Sequence, residues 1–216
     1  MPRARKPLTR VVVLKAALRI LDEEGLEALS MRRVAAKLGV EAMSLYHHVA
    51  GKDDLIGALS EWVYVHVEVP GDEAGWREAM TVRAASLRDL LVRHPWALSL
   101  MDSRPDPGPI VLAHHDAVIG TLRRGGFPIA LAARAYSAID AYVFGFALTE
   151  RNLPFDSTDG VNDFAEDVAV PVDAYPYLAE LVGELTAGGD YSFAAEFDLG
   201  LEIILDGLER RLLASP

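Results

Sequence analysis

SMRRVAAKLGVEAMSLYHHVAGK, residues 30–52, reads as two short helices joined by a tight turn, with a further helix opening at Lys52. Ala35, Leu38, Val40 and Leu45 are spaced to pack the two helices on each other, and Gly39 stands where the first should stop. A helix-turn-helix places such a turn between a supporting helix and a helix that lies in the DNA major groove. The outer face of the second helix carries Ala42, Ser44, Tyr46, His47 and His48, compact and mostly polar. The expectation is a DNA-binding head over residues 1–52 and a larger body over 53–216 that pairs and controls it.

The charge distribution agrees with this division. The chain of 216 residues has a net charge of −11, which taken whole argues against nucleic acid. Residues 1–52, however, hold ten Lys/Arg against five acids, whereas residues 53–216 hold eleven against 27. A basic head on an acidic body keeps phosphate binding to one end. With 51% hydrophobic residues the body can bury a sizeable core. The absence of cysteine excludes disulfides and thiolate metal sites and fits a reducing cytoplasm, the expected location. The apolar run Val11 to Leu14 is too short for a signal peptide, and no run reaches the ~18 uncharged apolar residues of a membrane helix.

Along the chain, residues 1–8 read as disordered, with Thr9 capping a helix that Gly25 ends. The third helix is expected from about Glu41 to His48, and the fourth from Lys52 to near Pro70-Gly71. The body continues as helix after helix, over 76–93, 95–101, 110–124 and 128–152. A loop lies at 102–109, and an acidic, weakly periodic mobile connection at 153–174. Helices follow over 175–187 and from Asp190 or Ser192 to near the C-terminus. No period-2 strand pattern appears, so the fold class is all-α: a three-helix DNA-binding domain plus a larger helical effector-binding and dimerisation domain.

The segment LSMRRVAAKLGVEAMSLYHHVAGKDDLIGAL (29–59) resembles the DNA-binding head of the tetracycline-repressor (TetR) family, and its tetracycline-repressor branch in particular. Gly39-Val40-Glu41 keeps that branch's GVE, Leu45-Tyr46-His47-His48-Val49 its LY-x-HV, and Lys52 the lysine that opens the next helix. Looser likeness extends through RPD at 104–106, GGF at 125–127 and the long helix before the acidic loop. The resemblance implies a homodimeric repressor whose helical body binds a small molecule and alters the spacing of its two heads. It places Arg32, Ala42, Met43 and Ser44 at base-reading positions, and Tyr46, His48 and Lys52 at phosphate-contacting ones. Ala42 replaces that branch's glutamine and His47 its tryptophan, so a different operator is expected.

Elementary chemistry gives the same positions content. The planar fork of Arg32 matches guanine O6 and N7, though it can equally pair with phosphate or stay solvated. Ala42 and Met43 can meet only thymine methyls, whereas Ser44 can donate or accept. Tyr46 and His48 suit phosphate, with packing on the second helix as the other reading of Tyr46. Lys52 sits at a helix N-terminus that itself favours phosphate. Arg3, Arg5 and Lys6 either enter the minor groove or stay disordered.

One head binds weakly, so pairing is expected. The small residues Ala133, Ser137, Ala141 and Gly145 recur at i, i+4 on the long helix, and Phe197, Leu201, Ile204 and Leu208 form a stripe on the last. A four-helix dimer interface is the expectation, with intramolecular packing of the same stripes as the alternative. Trp62, His66, Trp96, Met101, His115, Tyr136, Asp140 and Phe144 are the candidate effector lining, Asp140 being the polar anchor unless it faces water. HHD at 114–116 reads as a solvated helix face, since adjacent helical residues point ~100° apart. Where that branch's metal histidine precedes RPD, this chain has Leu100-Met101, so a metal-free, largely apolar effector is expected, with no cofactor and no metal site. No catalytic motif appears, so an enzyme is not expected. A helical protein-interaction or ligand-binding module without operator function is the remaining alternative.

Overall fold

The computed structural model describes residues 7–71, 73–102, 107–153, 170–187 and 192–214. Among them are ten α-helices, two short 3-10 turns and no strand. The chain forms two compact units, 1–132 and 133–216. The expected boundary at residue 52 falls inside the first unit, where α1 and α4 pack on each other.

In the first unit α1 (Arg10–Glu24) begins at Thr9, whose hydroxyl oxygen accepts from Val12 N–H at 3.3 Å. α2 (Met31–Leu38) begins the same way at Ser30, which accepts from Arg33 N–H at 3.2 Å. Gly39 ends α2 in the left-handed region, φ 65°, with its N–H and that of Val40 returned to Ala36 and Ala35 carbonyls. Only glycine adopts that backbone without strain, which is why the turn falls there.

α3 (Ala42–Leu45) is one turn long, shorter than the expected Glu41–His48. Beyond Leu45 the chain tightens into a turn, with His48 and Val49 N–H both bonded to the Leu45 carbonyl. Val49, 2% exposed, pulls the chain inward before α4 restarts it at Lys52. α4 (Lys52–His66) stops sooner than Pro70, where Val67 turns extended and the Glu68 N–H goes to the Ser86 hydroxyl.

α5 (Trp76–Arg93), α6 (Trp96–Asp102) and α7 (Pro109–Arg124) complete the first unit. The core runs through Ala17, Ile20, Val34, Leu45, Leu55, Leu59, Met80, Leu87, Val118 and Leu122, all under 2% exposed. α8 (Ile129–Asn152) carries the chain into the second unit. It is the one described helix long and apolar enough to cross a membrane, but Arg134 and Asp140 interrupt it.

α9 (Pro176–Ala187) and α10 (Glu196–Leu213) follow. α10 starts after Ser192 and the 3-10 turn Phe193–Ala195. Residues 1–6, Arg104-Pro105-Asp106 and most of the acidic connection, for which the sequence gives expectations, lie outside the described residues.

Candidate functional site

The helix-turn-helix is clamped from both sides by charge. Arg33 Nη2 and Nε reach the Glu24 carboxylate at 2.7 and 2.9 Å, and Lys37 pairs with Glu23, so α2 is tied to the end of α1. The Arg33 guanidinium holds the Glu24 carboxyl below its ordinary range. Arg10 grips both oxygens of Asp54 at 2.7 Å and donates to the His48 carbonyl at 3.3 Å, while Asp54 also accepts the Ala50 N–H at 2.8 Å. α1, the exit of α3 and the first turn of α4 thus meet at one bidentate pair. The Arg10 hydrogen bond depresses the Asp54 carboxyl to about 2, against partial burial.

Between these clamps the outer face of the helix-turn-helix is left uncommitted. Arg32, Met43, Tyr46, His47 and Lys52 are exposed, and Ala42, Ser44 and His48 half-exposed. Leu45, fully buried, anchors α3 from beneath, and Met43 at 72% exposure is the side chain it pushes furthest out. Arg32 and Arg33 are neighbours with opposite fates: Arg33 is spent on Glu24, whereas Arg32 forms no salt bridge among the described residues. Such a face offers one bidentate donor, one hydroxyl and two apolar groups to base edges, flanked by groups suited to phosphate.

The expected effector residues fall into three places. Met101 and His115 line a cleft of about 160 Å³ with Ser60, Tyr64, Pro107 and Val111. Beside it the buried Arg83 donates from Nε to His114 Nε2 at 3.4 Å. Tyr64 meets both His114 and His115 edge-on, at 5.1 and 5.5 Å. His114 is 8% exposed, so the reading of HHD as a solvated face is corrected: only Asp116 is fully outside.

Trp62, His66 and Trp96 gather elsewhere in the unit, with His94, in an aromatic cluster with ring centroids 4.1 to 5.9 Å apart. Asp22 Oδ1 secures it, accepting from His94 Nδ1 and Trp96 Nε1, each at 2.7 Å. Trp62 also edges a second cleft, with Arg10, Val11 and Glu61.

Tyr136, Asp140 and Phe144 belong to the second unit, where Asp140 is 7% exposed and the other two half-buried. Sequence reading missed Ser60, Tyr64 and Arg83. Arg83 carried a signal: a charge at a core position of α5, one turn from Met80 and Leu87. Among the described residues no group of three His, Asp or Glu converges as metal ligands.

In the second unit Ala133, Ser137, Ala141 and Gly145 all stand exposed along α8. The α10 stripe does not share that fate. Phe197, Leu201 and Leu208 are 1%, 2% and 7% exposed within the chain, and Ile204 half-buried. Phe197 stacks on Tyr142 at 5.4 Å and meets Phe146 at 5.1 Å, and the Tyr142 hydroxyl donates to the Phe197 carbonyl at 2.8 Å. Within one chain this stripe packs intramolecularly, the alternative reading of it, and α10 turns Leu199 and Ile203 outward, at 56% and 63% exposure.

The match of this chain to known proteins runs its length. The family model for TetR-family bacterial regulatory proteins matches residues 13–59, and that for the tetracycline-repressor-like C-terminal domain residues 69–212. The HTH-type transcriptional repressor DrrR1 of Streptomyces coeruleorubidus is 39% identical over 96% of this chain and 80% of its own. The class C tetracycline repressor protein of Escherichia coli is 30% identical over 96% of this chain and 94% of its own. Among solved structures, ActR of Streptomyces coelicolor without ligand superposes with a TM-score of 0.79 at 32% identity, over 99% of this chain and 100% of its own. ActR in complex with actinorhodin gives 0.77 at 34%, over 94% and 96%.

Proposed function

The chain belongs to the TetR family of transcriptional regulators, and on that premise we propose that it is a cytoplasmic repressor that binds a palindromic operator as a homodimer and is released by a small, largely apolar effector. The observation that carries the DNA part is the uncommitted face between two charge clamps: Arg33, Lys37 and Arg10 hold the scaffold, and Arg32, Ala42, Met43, Ser44 and Lys52 remain to meet DNA. Arg32 and Ser44 read base edges, Ala42 and Met43 meet thymine methyls, and Tyr46, His47, His48 and Lys52 position the head on phosphates.

Pairing uses the exposed small residues of α8, Ala133, Ser137, Ala141 and Gly145, which allow a second helix close approach, together with Leu199 and Ile203 of α10. Two heads on a two-fold axis then meet half-sites about one helical turn apart, ~34 Å or a multiple.

The effector site takes shape from the cleft lined by Tyr64, Met101 and His115, beside which Arg83 meets His114. Methionine and aromatic walls with a few polar groups favour a flat, mainly apolar ligand. That two ActR structures hold ligands supports a ligand-responsive body.

A gel-shift titration against the DNA flanking its own gene tests the operator part, with expected binding to an inverted repeat that weakens steeply with salt. Binding that ignores both the symmetry of the site and ionic strength would remove the repressor reading.

A further inference from the structure

A second cleft, of about 310 Å³, lies between α1, α4 and the start of α7, apart from the Met101–His115 cavity. Its walls are apolar: Val11, Ala58, Val65 and Ile110, with Val11 and Val65 each 60% exposed and Ile110 40%. Two charged groups line it, Arg10 and Glu61. They do not neutralise each other by a direct bond. Both terminal nitrogens of Arg10 are committed to the two oxygens of Asp54, and Arg10 feels Glu61 only through space. Glu61 itself takes no hydrogen bond and no salt bridge among the described residues.

The Glu61 carboxylate also sits at the start of α7. It lies against Gly108, whose missing Cβ leaves room for the carboxylate in this rotamer. Gly108 is the residue before α7, a helix whose first turn has no side-chain cap, and that positive dipole end favours a carboxylate. With Arg10 and Asp54 offsetting each other, the cleft is an apolar slot edged by a Glu61 carboxylate that has no hydrogen-bond or ion-pair partner among the described residues.

We propose that this cleft binds a lipophilic amine: a monocation whose ammonium pairs with Glu61 and whose apolar part lies along Val11, Ala58, Val65 and Ile110. Such a ligand sits against Arg10, the side chain that holds the His48 carbonyl and the first turn of α4. It therefore acts on the head directly, by a route separate from the body's cavity.

The test uses octylammonium as probe, with octanoate and octan-1-ol as charge controls, titrated by calorimetry into the full-length protein. The Trp62 indole N–H resonance, assigned with Trp62→Phe, reports the place of binding. Saturable octylammonium binding that shifts this resonance is expected, with octanoate excluded. Glu61→Gln should weaken octylammonium about tenfold and leave octan-1-ol unchanged, the size of one charge-assisted contact. Val11→Trp, a surface substitution that fills the slot, should weaken both. Two outcomes overturn the proposal: octylammonium affinity indifferent to Glu61→Gln and Val11→Trp, or loss of the binding in His115→Phe, which would put the probe in the other cavity.

Discussion

The head and the second unit solve opposite problems with the same kind of secondary structure. In the head the helices are short, α3 being a single turn, and charge pairs between helices hold the scaffold so that the outward side chains stay free. In the second unit aromatic rings do the holding, with Phe146 stacked on Phe193 at 4.5 Å and Tyr142 on Phe197 at 5.4 Å. Among the side chains that face outward there are small and aliphatic ones, Ala133, Ala141, Gly145, Leu199 and Ile203, beside acids such as Asp198 and Glu202. A polar, uncommitted face suits a hydrated, charged partner such as DNA, whereas exposed small and aliphatic side chains gain by being covered.

The largest effect should come from breaking the aliphatic face. Ala141→Arg places a long charged side chain where a second copy is proposed to approach. Light scattering should show a monomer, and operator affinity should fall ~10²–10⁴-fold, the gain that a second tethered head supplies. A variant that stays dimeric would move the interface away from α8.

Phe197→Ala separates the inner stripe of α10 from its outer one. Removing a ring buried to 1% exposure should cost about 3–5 kcal/mol of stability, read as a fall in the denaturant midpoint. Ile203→Ser, on the outer side at 63% exposure, should leave the unfolding of one chain nearly unchanged and weaken association instead. Equal effects of the two would erase the distinction between the faces.

These two helices also mark how far the sequence could be read. Caps and stops were legible because each is a local event: Thr9, Ser30 and Gly39 act within four residues of themselves. The side of α10 that turns inward was not, since Phe197, Leu201 and Leu208 on one side and Leu199 and Ile203 on the other give apolar patterns of similar strength. The choice is made by Tyr142 and Phe146, more than fifty residues away. The same distance hid the candidate site. Nothing in MRRV tells Arg32 from Arg33; the difference is Glu24, on another helix. Tyr64 and Arg83 went unnoticed because the cleft is assembled from α4, α6 and α7 with α5 beside it, and no single stretch spells it.

The neighbouring arginines give a sharper test within the head. Arg32→Ala should cost about 1–3 kcal/mol of operator binding and relax the preference at one base pair in each half-site, measured with a set of single-site operator variants. Arg33→Ala should leave the base preference intact and loosen the α1–α2 contact, visible as faster amide exchange at the start of α2. If the base preference moved with Arg33 and not with Arg32, the division between clamp and reader would be wrong.

The smallest effect belongs to the second clamp, and pH reaches it. Asp54 has its carboxyl depressed to about 2, chiefly by the Arg10 hydrogen bond. A group whose folded pKa lies below its unfolded value stabilises the fold above the unfolded value, ~3.9, and loses that contribution as pH falls through the folded one. The pair should thus contribute fully at pH 5 and fade between about 4 and about 2. Arg10 is 50% exposed, so solvent screening keeps the contribution to about 1 kcal/mol or less. Denaturant unfolding of the native chain and of Arg10→Gln should therefore differ by that amount at pH 5 and converge toward pH 2. A gap that persisted to low pH would mean that Arg10 stabilises the head through the His48 carbonyl, which does not titrate, and not through Asp54.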